Sequence, residues 1–147
     1  MNTKLIPILF LAILSINSHS KTIANCGGSI GKSYFVAGAI VPEEQAGMQD
    51  DELSSGKIKL ELVDDSFRLL TVDASGEIKT IEGEGGKEIF LQTGTGISII
   101  GIYESVFEHY LFRPLEGIVT WSSARAGTLI DKHSLFVSKC EFYLENL

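Results

Sequence analysis

Several residue types and patterns that announce a particular chemistry are scarce or missing. The 147 residues include only two cysteines, three prolines, two methionines and one tryptophan. No C-x-x-C pair, H-E-x-x-H helix or G-x-S-x-G elbow occurs, which removes the usual signatures of thiol redox, zinc and serine-hydrolase chemistry. Positive charge is also short, with twelve Lys+Arg against nineteen Asp+Glu and a formal net charge of -7. With no basic run, neither nucleic acid nor an anionic membrane surface is an expected partner, because both attract Lys/Arg patches. No apolar run reaches the roughly 20 residues that a bilayer-spanning helix needs. Hydrophobic residues at 44% and charged residues at 21% are close to globular averages, and the length suits one domain.

The longest apolar run, Leu5 to Ile16, follows Lys4 and precedes a polar stretch from Asn17 to Lys21. This is the order of a secretory signal. Ser18 and Ser20 place small side chains three residues and one residue before a cut at Lys21, so residues 1–20 are expected to be a signal peptide and 21–147 a single β domain. Cys26 falls just after the signal but resembles a lipid-attachment cysteine only in part, since Asn25 stands where a small residue is wanted.

Cys26 and Cys140 lie near the two ends of the mature chain. In a secreted or periplasmic protein such a pair is most simply a disulfide, and it makes the first and last ordered segments spatial neighbours.

From residue 57 the pattern has period two: Lys57, Lys59 and Glu61 alternate with Ile58, Leu60 and Leu62. Asp64-Asp65 reads as the turn of a hairpin, and turn signals then recur every eight to twelve residues. Strands are expected at 33–39, 57–62, 66–73, 77–81, 88–93, 97–103, 107–113, 117–123 and 135–143. Connections this short allow antiparallel neighbours but not parallel crossovers. The expected fold is therefore all-β, a small antiparallel up-and-down barrel of eight or nine strands, with a β-sandwich as the alternative. That architecture is broadly similar to small exported barrels such as lipocalin-like carriers and bacterial lysozyme inhibitors, although the G-x-W opening of lipocalins is missing.

Candidate chemistry is sparse. Gly27 to Ser33 resembles a phosphate-binding loop, but Cys26 stands where its first glycine is required, so the segment reads as a flexible lead-in to the first strand. Asp131 with His133, and Glu104, Glu108 and His109, offer metal-ligating types without metal-ligand spacing. No catalytic residue, metal or cofactor is assigned. Glu43, Glu44, Asp50, Asp51 and Glu52 put five acids within ten residues of an expected loop from 41 to 56, a candidate surface for a basic protein partner. Tyr103, Phe107, Tyr110, Phe112 and Trp121 concentrate aromatic surface in the last third of the chain. They suit a core, or a cavity holding a small apolar ligand. The leading functional expectation is a non-enzymatic secreted or periplasmic protein, such as an enzyme inhibitor, that binds another protein. A carrier of a small hydrophobic ligand is the first alternative, and a hydrolytic or metal-dependent enzyme the second.

Overall fold

A computed structural model describes residues 20–146 apart from 39 and 74. The expected signal peptide lies outside the described residues except for Ser20. The described chain is all-β, with three single 3-10 turns as its helical content. Its ten antiparallel strands are β1 (Ser20–Phe35), β2 (Gly47–Leu53), β3 (Lys57–Val63), β4 (Ser66–Val72), β5 (Ile78–Thr80), β6 (Lys87–Thr93), β7 (Gly96–Ile102), β8 (Val106–Arg113), β9 (Ile118–Arg125) and β10 (Lys132–Phe142). Nine of them form one curled half-barrel in the order β5-β4-β3-β1-β10-β9-β8-β7-β6, and β2 joins at β1.

The first strand organises the rest. One edge of β1 pairs with β10 from Ala24 to Phe35. Its other edge is shared, with β3 along Ser20 to Cys26 and β2 along Ser29 to Phe35. The glycines of 27–31, expected as a flexible lead-in, lie inside this strand. The register slips between Cys26 and Ser29, a bulge that absorbs Gly27 and Gly28. Gly31 is required by close packing, because a Cβ there would run into the Leu135 carbonyl and Phe136 of β10.

Cys26 and Cys140 are cross-strand partners of β1 and β10, and they form the expected disulfide across a sequence separation of 114. The first and last strands do meet. The gap in the barrel lies instead between β5 and β6, where no ladder forms. With only three residues, β5 extends β4 along Leu70 to Val72 and leaves Ser66 to Leu69 uncovered. Side chains span that interval: the Leu69 N–H donates to Glu88 Oε1 at 3.3 Å, and the Phe67 and Phe90 rings lie 6.1 Å apart.

The segment from 41 to 56 is not the expected loop. Glu43–Gln45 form one 3-10 turn and β2 follows, because β1 offers a free edge long enough to pair with all seven β2 residues. The hairpin at Asp64-Asp65 is present as read, with φ of 49° and 64°, the left-handed pair that a two-residue turn of this kind requires.

One end of the half-barrel is filled by fully buried side chains, among them Ile23, Leu60, Leu69, Ile99 and Phe112. These come from both flanks of the curl, and each contributes about 1.5–3 kcal/mol of burial. A closed loop as long as the Cys26–Cys140 span adds about 4 to 5 kcal/mol in the chain-entropy model. A Cys26→Ser/Cys140→Ser variant is therefore expected to lose stability of that order in denaturant unfolding while keeping its strand circular dichroism. A loss under about 1 kcal/mol would show that the β1–β10 ladder alone holds the chain ends together.

Candidate functional site

Alternation along β1 and β10 is the reverse of a simple inward-apolar pattern. Ser29, Ser33, Ser134 and Ser138 face inward and are buried, while Ile30, Leu135 and Val137 face outward at 67%, 61% and 39% exposure. The inward hydroxyls are matched across the strands: Ser29 with Ser138 at 2.6 Å and Ser33 with Ser134 at 2.6 Å. Trp121 Nε1–H also donates to Ser29 Oγ at 3.0 Å. Pairing removes the cost of burying these groups, so the inverted pattern is tolerated inside. Outside it leaves aliphatic surface in water.

The acids expected on a loop fall into three places. Glu43 and Glu44 occupy the exposed 3-10 turn. Asp51 faces inward, where it accepts hydrogen bonds from Ser33 Oγ at 2.6 Å and Lys132 Nζ at 3.1 Å. Burial alone would raise its pKa, but these donors outweigh it and hold the carboxyl below the usual range. Asp50 and Glu52 face outward in register with Lys32 and Ile30. Lys32 Nζ donates to Asp50 at 2.7 Å and lowers its pKa.

These outward residues share one shallow groove of about 870 Å³. Its floor is Ile30, Leu135 and Val137, and Lys32, Asp50 and Glu52 stand along the β2 side. Past the groove the outward rows mix polar and aliphatic residues, Val137–Thr120–Leu111–Ser98–Leu91 in one and Leu135–Ser122–His109–Ile100–Ile89 in the other.

The aromatic candidates divide as well. Phe112 belongs to the buried plug, and Phe107 is 44% exposed on the outer face. Tyr103 is half-buried against Gly86 and Gly101, where burial raises its pKa. Tyr110 and Trp121 stack with ring centroids 5.7 Å apart, and Phe136 covers the far side of Trp121 at 4.4 Å. Tyr110 and Trp121 help line a cavity of about 430 Å³ at the unplugged end of the half-barrel, so the interior is filled at one end and open at the other.

Glu108 lies in that cavity, accepting the Tyr110 hydroxyl at 2.8 Å. Burial raises its pKa, and the Tyr110 bond and nearby Arg125 offset this only in part. Its cross-strand neighbour Ser123 carries a buried hydroxyl with no hydrogen-bond partner among the described residues. His109 is turned to the other face, where Nε2 and Ser98 Oγ share a hydrogen bond of 2.7 Å. The Asp131 carboxyl accepts the Thr128 N–H at 2.8 Å, closing the turn before β10. Among the described residues, no three His, Cys, Asp or Glu side chains converge as metal ligands.

The chain matches no family model, no curated protein and no solved structure. Of the residues singled out from sequence, Asp50, Asp51 and Glu52 line the groove and Glu108, Tyr110 and Trp121 line the cavity, whereas the aliphatic floor of Ile30, Leu135 and Val137 is not among them.

Opposite pH dependences follow for Asp51 and Glu108. Asp51 has a lowered native pKa, so its contribution is present above its unfolded pKa and fades as pH falls through the native value. Asp51→Asn is expected to destabilise at neutral pH and to converge with the parent in acid. Glu108 has a raised native pKa, so stability is lost as pH rises from its unfolded value through the native one. Glu108→Gln is expected to stabilise at neutral pH and make no difference well below pH ~4. Parallel pH profiles of urea unfolding check both, and the same sign for the two variants would contradict the assignments.

Proposed function

We propose that this is a secreted or periplasmic non-enzymatic binding protein that recognises a basic, amphipathic segment of another protein on the outer face of β2, β1 and β10. The observation that carries this reading is the outward placement of Ile30, Leu135 and Val137 in one groove with Asp50 and Glu52. Exposed aliphatic side chains on adjoining strands, beside a rim in which acids outnumber the one lysine, are the anatomy of a protein contact, with an apolar centre that excludes water and a charged rim that orients approach. Lys32 offsets Asp50, but Glu52 makes no ion pair among the described residues. The net charge of -7 adds a long-range preference for a cationic partner.

Residence outside the cytoplasm is supported by the disulfide and by the apolar, small-residue order of residues 1–20. No described helix is long and apolar enough to cross a membrane. Inhibition of a cationic cell-wall hydrolase is one form this activity would take, with a rigid β-sheet face set against a basic enzyme surface.

A panel of purified cationic secreted proteins, lysozyme among them, tests the proposal by surface plasmon resonance. The expected outcome is a saturable partner whose association slows as ionic strength rises. Leu135→Ser should raise its Kd by about tenfold or more through faster dissociation, and Asp50→Lys/Glu52→Lys should do so mainly through slower association. Binding that survives both variants unchanged would remove this face from the account.

A further inference from the structure

We propose that the seam between β4 and β6 is a strand-accepting slot. It takes one extended segment of a partner polypeptide, unstructured when free, whose main chain pairs with both edges and whose side chains set a basic residue two positions from an apolar one. Two free edges face each other there. β6 pairs with β7 alone, and on the other flank β5 covers β4 only from Leu70 to Val72. A cavity of about 630 Å³ lies in this interval, lined in part by Phe67 and Arg68 of β4, Glu88 and Phe90 of β6, and Glu82 of the connection between β5 and β6. The Leu69 N–H has a side-chain acceptor, Glu88 Oε1 at 3.3 Å, where a ladder would supply a carbonyl. Unpaired main-chain groups along a sheet edge are what an added strand satisfies.

The form and the chemistry of the occupant follow from this arrangement. A guest between two edges needs both of its own edges free. That excludes the edge strand of a folded sheet, including β2, β5 and β6 of a second copy, each of which is already paired on one side. A flexible segment or a chain end has both. Phe67 and Leu69 on β4 and Glu88 and Phe90 on β6 share the inner face, so one guest position lies between Leu69 and Glu88 and the next on that face between Phe67 and Phe90. The second position is apolar, beside two aromatic rings packed on the core. The first is basic, because half-buried Glu88 and exposed Glu82 make no ion pair among the described residues. Arg68, the one cation of the lining, alternates to the outer face in register with Glu61. Burial raises the Glu88 pKa and Glu82 adds to this, with the Leu69 N–H and Arg68 opposing them, so a cation on the guest relieves both acids.

The probe is an acetylated, amidated heptapeptide, TKTLTKT, whose palindromic order offers lysine and leucine two apart in either chain direction. Its binding to the full mature chain is followed by titration calorimetry. The comparison peptides are TETLTET and two forms of the lysine peptide N-methylated at alternate residues, odd in one and even in the other, so that each loses the donors of one edge. The expected result is saturable binding of the lysine peptide at one site per chain, about tenfold or more tighter than the glutamate peptide, and loss of binding on either methylation. Glu88→Gln keeps an acceptor for the Leu69 N–H and should weaken the lysine peptide about fivefold with thermal unfolding unchanged. Leu135→Ser, in the outer groove, should leave it within about twofold. Absence of saturable binding, equal affinity for the two charges, or indifference to Glu88→Gln would each overturn the proposal. So would loss on only one of the two methylations, which puts the peptide on a single exposed edge, and loss in Leu135→Ser, which puts it on the groove.

Discussion

Everything in the molecule hangs on the pairing of one sixteen-residue strand on both of its edges. A strand of ordinary length satisfies one neighbour on each side. β1 is long enough to hold β2 and β3 end to end on one edge while β10 runs the length of the other. The bulge at Gly27-Gly28 lets those ladders coexist, since it bends the strand where β3 ends and β2 begins. Placing the Cys26–Cys140 bond beside that bulge fixes β10 to β1 where the ladder is interrupted. The opening between β5 and β6 is affordable for the same reason: closure through the ends of the chain leaves only a side-chain seam to be made in its middle.

The hub also dictates the two surfaces. Period two along Ser29 to Ser33 and Ser134 to Ser138 forces a choice between burying serines and burying aliphatic residues, with Phe136 and the need for space at Gly31 on the serine side. Phe136 inward gains a fully buried aromatic stacked on Trp121, and each inward serine finds a cross-strand or ring N–H partner. Ile30, Leu135 and Val137 then have no direction left but outward. The groove is thus a consequence of core packing as much as a surface feature, and Leu135 cannot be turned inward without turning Phe136 out.

Most of the strand inventory was legible because it rests on local pattern. The hairpin at Asp64-Asp65 and the strands after it are present close to where alternation and turn residues put them, and the disulfide follows from there being two cysteines and no other partner for either. The misreadings share a different cause. Gly27 to Gly31 and Gly47 to Leu53 carry glycine and acid, which weigh against strand locally, and each becomes strand only because a neighbour distant in sequence supplies the other half of its ladder. The facing of Ser134 to Ser138 was equally hidden, since either orientation buries something acceptable until Gly31 is known to sit beneath Phe136. Glu108 reads from sequence only as a metal-ligating type beside His109; alternation turns the two side chains to opposite faces, and its burial beside Tyr110 depends on the opposing flank of the curl, which local sequence does not show.

Surface charges are screened over about 8–10 Å at moderate ionic strength, so the two faces of the sheet carry separate electrostatic environments. Asp50 and Glu52 act on the outer face, with the sheet between them and the cavity. The carboxylates that line the cavity are reduced in effect by distinct means: Asp73 and Glu84 by Lys79, and Glu108 by burial that disfavours its charged form. One sheet can present two such different surfaces because alternation sends neighbouring residues of β1 to opposite faces, Ser29 to the cavity and Ile30 to the groove.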